Sequence, residues 1–127
     1  MAIPLADLIT WLEPFVSPIP VVANFMASEP DAQVVLNGGA GAAPTQDGAF
    51  EPGHIHIRCR GTTDELAEAT ALAVHAALVS LSSTQMGGTW VVSAESAAGP
   101  PSFLMRDTSQ RSVYIATYLF VTPTAIG

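Results

Sequence analysis

Residues Gly53–Leu81 read GHIHIRCRGTTDELAEATALAVHAALVSL, and the fold turns on where this stretch changes its period. From His54 to Arg60, the polar His54, His56, Arg58 and Arg60 alternate with Ile55, Ile57 and Cys59. An extended backbone sends such sets to opposite faces, which predicts a half-buried strand. Gly61 breaks the pattern. Thr62 followed by Glu65 has capping-box spacing, in which the hydroxyl accepts from a free helix N–H and the carboxylate returns to the cap's own N–H. A helix is expected from there, with Leu66, Ala69, Ala73, Ala77 and Leu81 packed on a sheet and Glu68, Leu72, His75 and Val79 on its outer side.

Working outward, Leu5, Leu8, Ile9 and Leu12 recur at helical spacing between Pro4 and Pro14, predicting a helix over about 4–13 with Trp11 beside its stripe. Pro18 and Pro20 oppose regular structure, Val21 to Met26 is weakly patterned, and Ser28–Asp31 reads as a turn. Gln33–Leu36 is the first expected strand. Gly38–Gly53 holds five glycines and two prolines, so a long loop is expected there, either a solvated hairpin tip or an assembly loop ordered by a partner. Strands are expected again at Thr89–Ala97, Phe103–Met105 and Ser112–Thr122, with a polar turn from Arg106 to Arg111. Apolar groups on both faces of the last make it central or covered twice. The implied fold class is α+β, a mostly antiparallel sheet of about four or five strands packed against two helices.

The length of 127 residues bounds the chain to a single domain over 1–127. Nearly half of it is apolar and only 12% is charged, so it folds, and some apolar surface is expected to lie under another chain. Four arginines, no lysine and eleven acids give a formal charge of −7, which opposes general binding to nucleic acid phosphates. No basic region precedes an apolar core at the N-terminus and no run is long enough to span a bilayer, so a soluble product that stays where it is made is expected. The lone Cys59 lies on the apolar strand face and reads as a buried small hydrophobe.

Chemistry is sparse in the chain. His54, His56 and His75 could offer three imidazoles to zinc, but no acidic or cysteine ligand accompanies them in sequence, and no metal site or cofactor is expected. Cys59 points away from the histidines by strand parity, no serine sits in a nucleophile elbow, and Gly38–Gly41 lacks the lysine and hydroxyl of a phosphate loop. No catalytic residue is assigned. Arginine without lysine favours fixed bidentate partners, so Arg58, Arg60, Arg106 and Arg111 are expected to pair with carboxylates within the chain or across a subunit boundary, or else to lie on a solvated face.

A short N-terminal helix, Glu29-Pro30-Asp31 before the first strand, His56-Ile57-Arg58 before an alanine-rich helix, and Pro101-x-x-Leu104-x-Arg106-Asp107-x-x-x-Arg111 before a long aromatic strand follow in order. This layout, over about Leu5 to Pro123, resembles the small tail-terminator family of long-tailed bacteriophages, often labelled tail-completion or minor capsid proteins. The glycine-rich loop departs from it. The resemblance implies a sheet flanked by helices in a ring-forming, typically hexameric virion protein without catalytic residues. Its implied partners are other copies of itself, the major tail tube protein and the head-side connector, with assembly in the host cytoplasm; the net negative charge adds the expectation that DNA passes through the lumen unbound. A head-completion or neck protein is the alternative, and a small ligand- or metal-binding domain a more distant one. A closed ring needs two different patches per subunit. The expected interface residues are Leu72, His75, Val79, Arg58, Arg60, Arg106 and Arg111, with Gly39, Asp47 and Phe50 of the loop.

Overall fold

The computed structural model describes residues 4–41, 50–97 and 99–123. The elements run α1 (Leu5–Val16), β1 (Val21–Ala23), β2 (Gln33–Gly41), β3 (Phe50–Gly61), α2 (Asp64–Val79), β4 (Ser82–Met86), β5 (Thr89–Ser96), β6 (Ser102–Arg106) and β7 (Ser112–Pro123). One sheet takes all seven strands in the order β1-β2-β3-β7-β5-β4, with β6 also on β7. β1 runs parallel to β2 and every other pairing is antiparallel. The sheet is therefore mixed, and it exceeds the expected four or five strands by β1 and β4. Both are short, at three and five residues, and β1 lies between prolines and a turn. Their pairing with β2 and β5, rather than their own periodicity, makes them strands.

β5 and β6 share one edge of β7. Ser93–Ser96 pair with Tyr118–Val121, the Ala97 N–H donates to the Thr117 carbonyl, and Ser102–Arg106 pair with Ser112–Ile115. The two strands thus lie end to end along the same edge of β7. β7 lies between these two strands and β3, as expected of a strand apolar on both faces.

The helices cover one face. α1 touches β1 and β2 on one side and β4 on the other, so the sheet curls around it. Leu8, Leu12 and Val16 form its buried stripe. That stripe carries the helix past its expected end near residue 13, because Pro14 gives up only its own N–H bond in the last turn while Val16 still packs inward. Ile55, Ile57 and Cys59 of β3 are buried as their alternation predicts, together with Val34, Leu36, Tyr118 and Phe120 of the neighbouring strands. The core is one cluster in which these residues meet Leu8, Leu12, Ala71, Val74 and Leu78.

Two expectations for α2 are corrected. Its N-cap is Thr63, one residue later than the capping-box reading, and the Thr63 hydroxyl accepts from the Leu66 N–H at 3.2 Å. Glu65 then falls too early to return to the cap, and the acidic pair Asp64 and Glu65 instead sits at the positive end of the helix dipole. The packed face is Ala67, Thr70, Ala71, Val74, Ala77 and Leu78; of the expected inward residues Ala77 and, just past the helix, Leu81 are buried, while Ala69 and Ala73 are exposed and Leu66 is 57% exposed. Alanines on every side gave the helix no clear direction; Val74 and Leu78, the large groups among them, settle it. Gly61 makes the approach feasible, since a Cβ there would lie 2.7 Å from the Ala67 nitrogen.

The glycine-rich stretch is also shorter as a loop than expected. β2 continues to Gly41 and β3 begins at Phe50, with a register shift between Gly38 and Gly41. Backbone groups suffice for such pairing, whatever the side chains.

Candidate functional site

The sheet face opposite the helices carries His54, His56, Arg58 and Arg60, and the structure finds partners for them. His56 Nδ1 lies 2.8 Å from the Thr117 hydroxyl, and Arg58 Nη2 donates to Asn37 Oδ1 at 3.0 Å. Arg60 is only 4% exposed. Its guanidinium donates to the carbonyls of Asp31 at 2.8 Å, Ala27 at 2.7 Å and Pro30 at 2.8 Å, clamping the connection between β1 and β2 over the face. Gln33, also buried, donates to Ala27 and Pro30 carbonyls and accepts from the Ala27 N–H. Burial and the neighbouring Arg111 lower the pKa of Arg60 from its ordinary value.

Arg111 completes the clamp. It donates to the Ser28 carbonyl at 2.6 Å, to Asp31 Oδ1 at 3.0 Å and to Asp107 Oδ2 at 2.8 Å. Asp107 in turn accepts from the backbone N–H groups of Ser109 and Arg111 and stands 3.7 Å from Arg60. Desolvation would raise the Asp107 pKa, but the bonds from Arg111 and Ser109 outweigh it and hold the carboxyl below its ordinary value. For Arg111 desolvation works downward and is outweighed by Asp31 and Asp107. Arg106 pairs with Asp64 at 2.9 Å, both half-exposed, and Asp64 also accepts from the Ser112 hydroxyl.

The arginines are thus engaged within the chain, and Arg58 and Arg60 do not form the unpartnered outer face that alternation suggested. His75 is corrected likewise: its Nδ1 lies 2.9 Å from the hydroxyl of fully buried Tyr118, and the two rings pack at 5.8 Å. That places it on the helix side of the sheet, away from His54 and His56. Among the described residues no three His, Cys, Asp or Glu side chains converge as a metal site. Burial pushes the Cys59 thiol up to about 12, a poor nucleophile. No described helix is long and apolar enough to cross a membrane.

Outward apolar side chains form a different set: Phe15, Phe25, Leu66 and Trp90 are exposed at separate places, and two groups stand together. Leu72 and Val79 are 47% and 48% exposed on the outer side of α2, beside Glu65, Glu68 and Ala76. On β6, consecutive Phe103, Leu104 and Met105 are each nearly half exposed, although alternate residues of a strand point to opposite faces. Phe103 meets Tyr114 edge-on at 5.8 Å, with the Arg106 guanidinium 6.0 Å from its ring centre. Sequence reasoning named Leu72 and Val79 but missed β6; three apolar residues in a row within a five-residue strand were the available signal. Gly39 lies in β2 and Phe50 pairs with Pro123 at the start of β3. Asp47 lies outside the described residues.

No family model matches the chain, and no curated protein does. Among solved structures, a chain of the "Virion of native gene transfer agent (GTA) particle" is similar in fold, with a TM-score of 0.59 at 16% identity. The match covers 87% of this chain and 82% of that one. At this identity the likeness establishes a shared fold.

Proposed function

We propose that this chain is a structural, non-enzymatic virion protein that forms a ring on the end of a phage-type tail tube, stops its polymerisation and joins it to the head-side connector. The observation carrying the virion role is the likeness of fold, over most of both chains, to a component of a gene transfer agent virion. The tail-end position rests on the order of elements that resembles the tail-terminator family. The exposed Leu72, Val79, Phe103, Leu104 and Met105 supply apolar surface of the kind that subunit contacts remove from water. With its arginines engaged internally and a net charge of −7, a lumen built from this subunit would let DNA slide rather than bind.

Size measurement in solution followed by negative-stain imaging tests the proposal. The expected result is rings, hexameric as in the resembled family, that bind purified tail tubes at one end. Leu72→Glu with Val79→Glu is expected to abolish them. A strictly monomeric protein that binds no tube would overturn the reading, and rings that bind only the head-side connector would make it a neck protein instead.

A further inference from the structure

Asn24 and Asn37 are the asparagines of the chain, and Asn37 is followed by Gly38. An asparagine amide is thermolabile because the backbone nitrogen of the next residue can attack its Cγ, and a glycine there puts no side chain in the way. Gly38 is exposed, with open space where a Cβ would stand. Its backbone also faces away from β3. The Val34 N–H donates to the Pro20 carbonyl and the Leu36 carbonyl accepts from the Asn24 N–H, so the even-numbered residues of β2 turn their backbone groups towards β1. β1 stops at Ala23, opposite Leu36, and Gly38 points past that end.

Asn37 itself is held. It pairs with His56, and by the same alternation its backbone groups face β3. Attack on Cγ requires the backbone of Asn37 to leave the extended region, which this pairing opposes. The side-chain amide is tied at both atoms: Oδ1 accepts from Arg58 Nη2 at 3.0 Å and Nδ2 donates to the Asn24 carbonyl at 3.3 Å. Beyond Gly38 the β2–β3 register shifts, so the regular ladder ends next to the pair.

We infer that Asn37-Gly38 is a latent deamidation site, which Arg58 and the β2–β3 ladder keep closed. When this end of β2 opens, the Gly38 nitrogen bonds to Asn37 Cγ and gives its proton to solvent. The Cγ–Nδ2 bond breaks, and the amide nitrogen takes up a proton and leaves as ammonia. Water then opens the cyclic imide at one carbonyl to aspartate or at the other to isoaspartate. The sum is amide plus water giving carboxyl plus ammonia, with no change of oxidation state. Aspartate here would turn the bond from Arg58 into an ion pair, whereas isoaspartate lengthens the backbone and breaks the pairing with His56. This chemistry is independent of ring assembly.

The test is incubation of the purified chain in mildly alkaline buffer, folded and in urea, with the asparagine-containing peptides followed by mass spectrometry and isoaspartate detected by enzymatic methylation. Conversion at Asn37 is expected in urea, faster than at Asn24 with Phe25 after it, and about ten-fold or more slower in the folded chain, where it waits on local opening. Arg58→Leu should raise the folded rate about three-fold or more, the effect of losing one hydrogen bond, and leave the rate in urea unchanged. If circular dichroism shows that this variant has lost the fold, Arg58→Lys replaces it, with a smaller rise expected because an ammonium holds the amide less rigidly. No conversion at Asn37 in urea, or none faster than at Asn24, would overturn the site. A folded rate equal to that in urea would overturn its closure, and equal folded rates in the parent and the Arg58 variant would overturn the part given to Arg58.

Discussion

At the Arg60 end of the sheet, a buried guanidinium, a buried amide and a salt-bridged turn hold the residue 27–31 connection through its backbone carbonyls. Along the outer side of α2 and on β6, five large apolar side chains stand about half in water with no comparable cover. Sequence periodicity makes the polar face of β3 and the outer side of α2 look alike, as faces lacking partners. They differ because a polar group can be satisfied by carbonyls from a connection of irregular structure, whereas covering an apolar stripe takes a second apolar surface of matching extent. Unpaired arginines in a sequence are thus a weaker sign of an interface than unpaired leucines.

Arg60→Ala should break the first region most severely. It strips donors from the Ala27, Pro30 and Asp31 carbonyls and should cost about 3–5 kcal/mol in urea unfolding. Arg60→Lys should recover only part, because an ammonium cannot span three carbonyls in fixed directions. A loss no larger than an exposed substitution gives would show that the connection holds itself. Acid probes the same region more gently. The folded pKa of Asp107 lies below the ordinary 3.8, so its contribution is complete above that value and fades as pH falls through the lower folded one. Unfolding midpoints should drop through that window, and Asp107→Asn should flatten the drop.

The smallest effect is expected on the second region. Leu72→Glu with Val79→Glu should leave the unfolding free energy of the isolated chain within about 0.5 kcal/mol of the parent, as for surface substitutions generally, even where assembly is lost. If circular dichroism shows that the fold goes too, these side chains belong to the core and the contrast fails.

Much of the scaffold was legible beforehand. Strict alternation in β3 fixed its buried face, and Leu8 and Leu12 fixed that of α1, because period and burial coincide there. On α2 the expected outer side holds at Glu68, Leu72 and Val79 and the expected inner one at Ala77 and Leu81, but Leu66, Ala69 and Ala73 are exposed, because alanine fits either side of a helix. β1 and β4 were missed because three to five residues carry too little pattern to outweigh prolines and serines around them. Of the proposed interface, Leu72 and Val79 were found from spacing, while the exposure of β6 depends on which strand ends the sheet at that point.

The sequence by itself determined an α+β chain in which an alternating strand feeds a helix and a long strand, apolar on both faces, lies inside the sheet, since local periodicity dictates which residues must leave water. Only the tertiary structure decided where the polar faces spend their hydrogen bonds. Arg60 meets carbonyls some thirty positions away in sequence, His75 meets Tyr118, and Asp7 faces Gly87. Such pairings follow from how the chain returns on itself, which no window of neighbouring residues encodes.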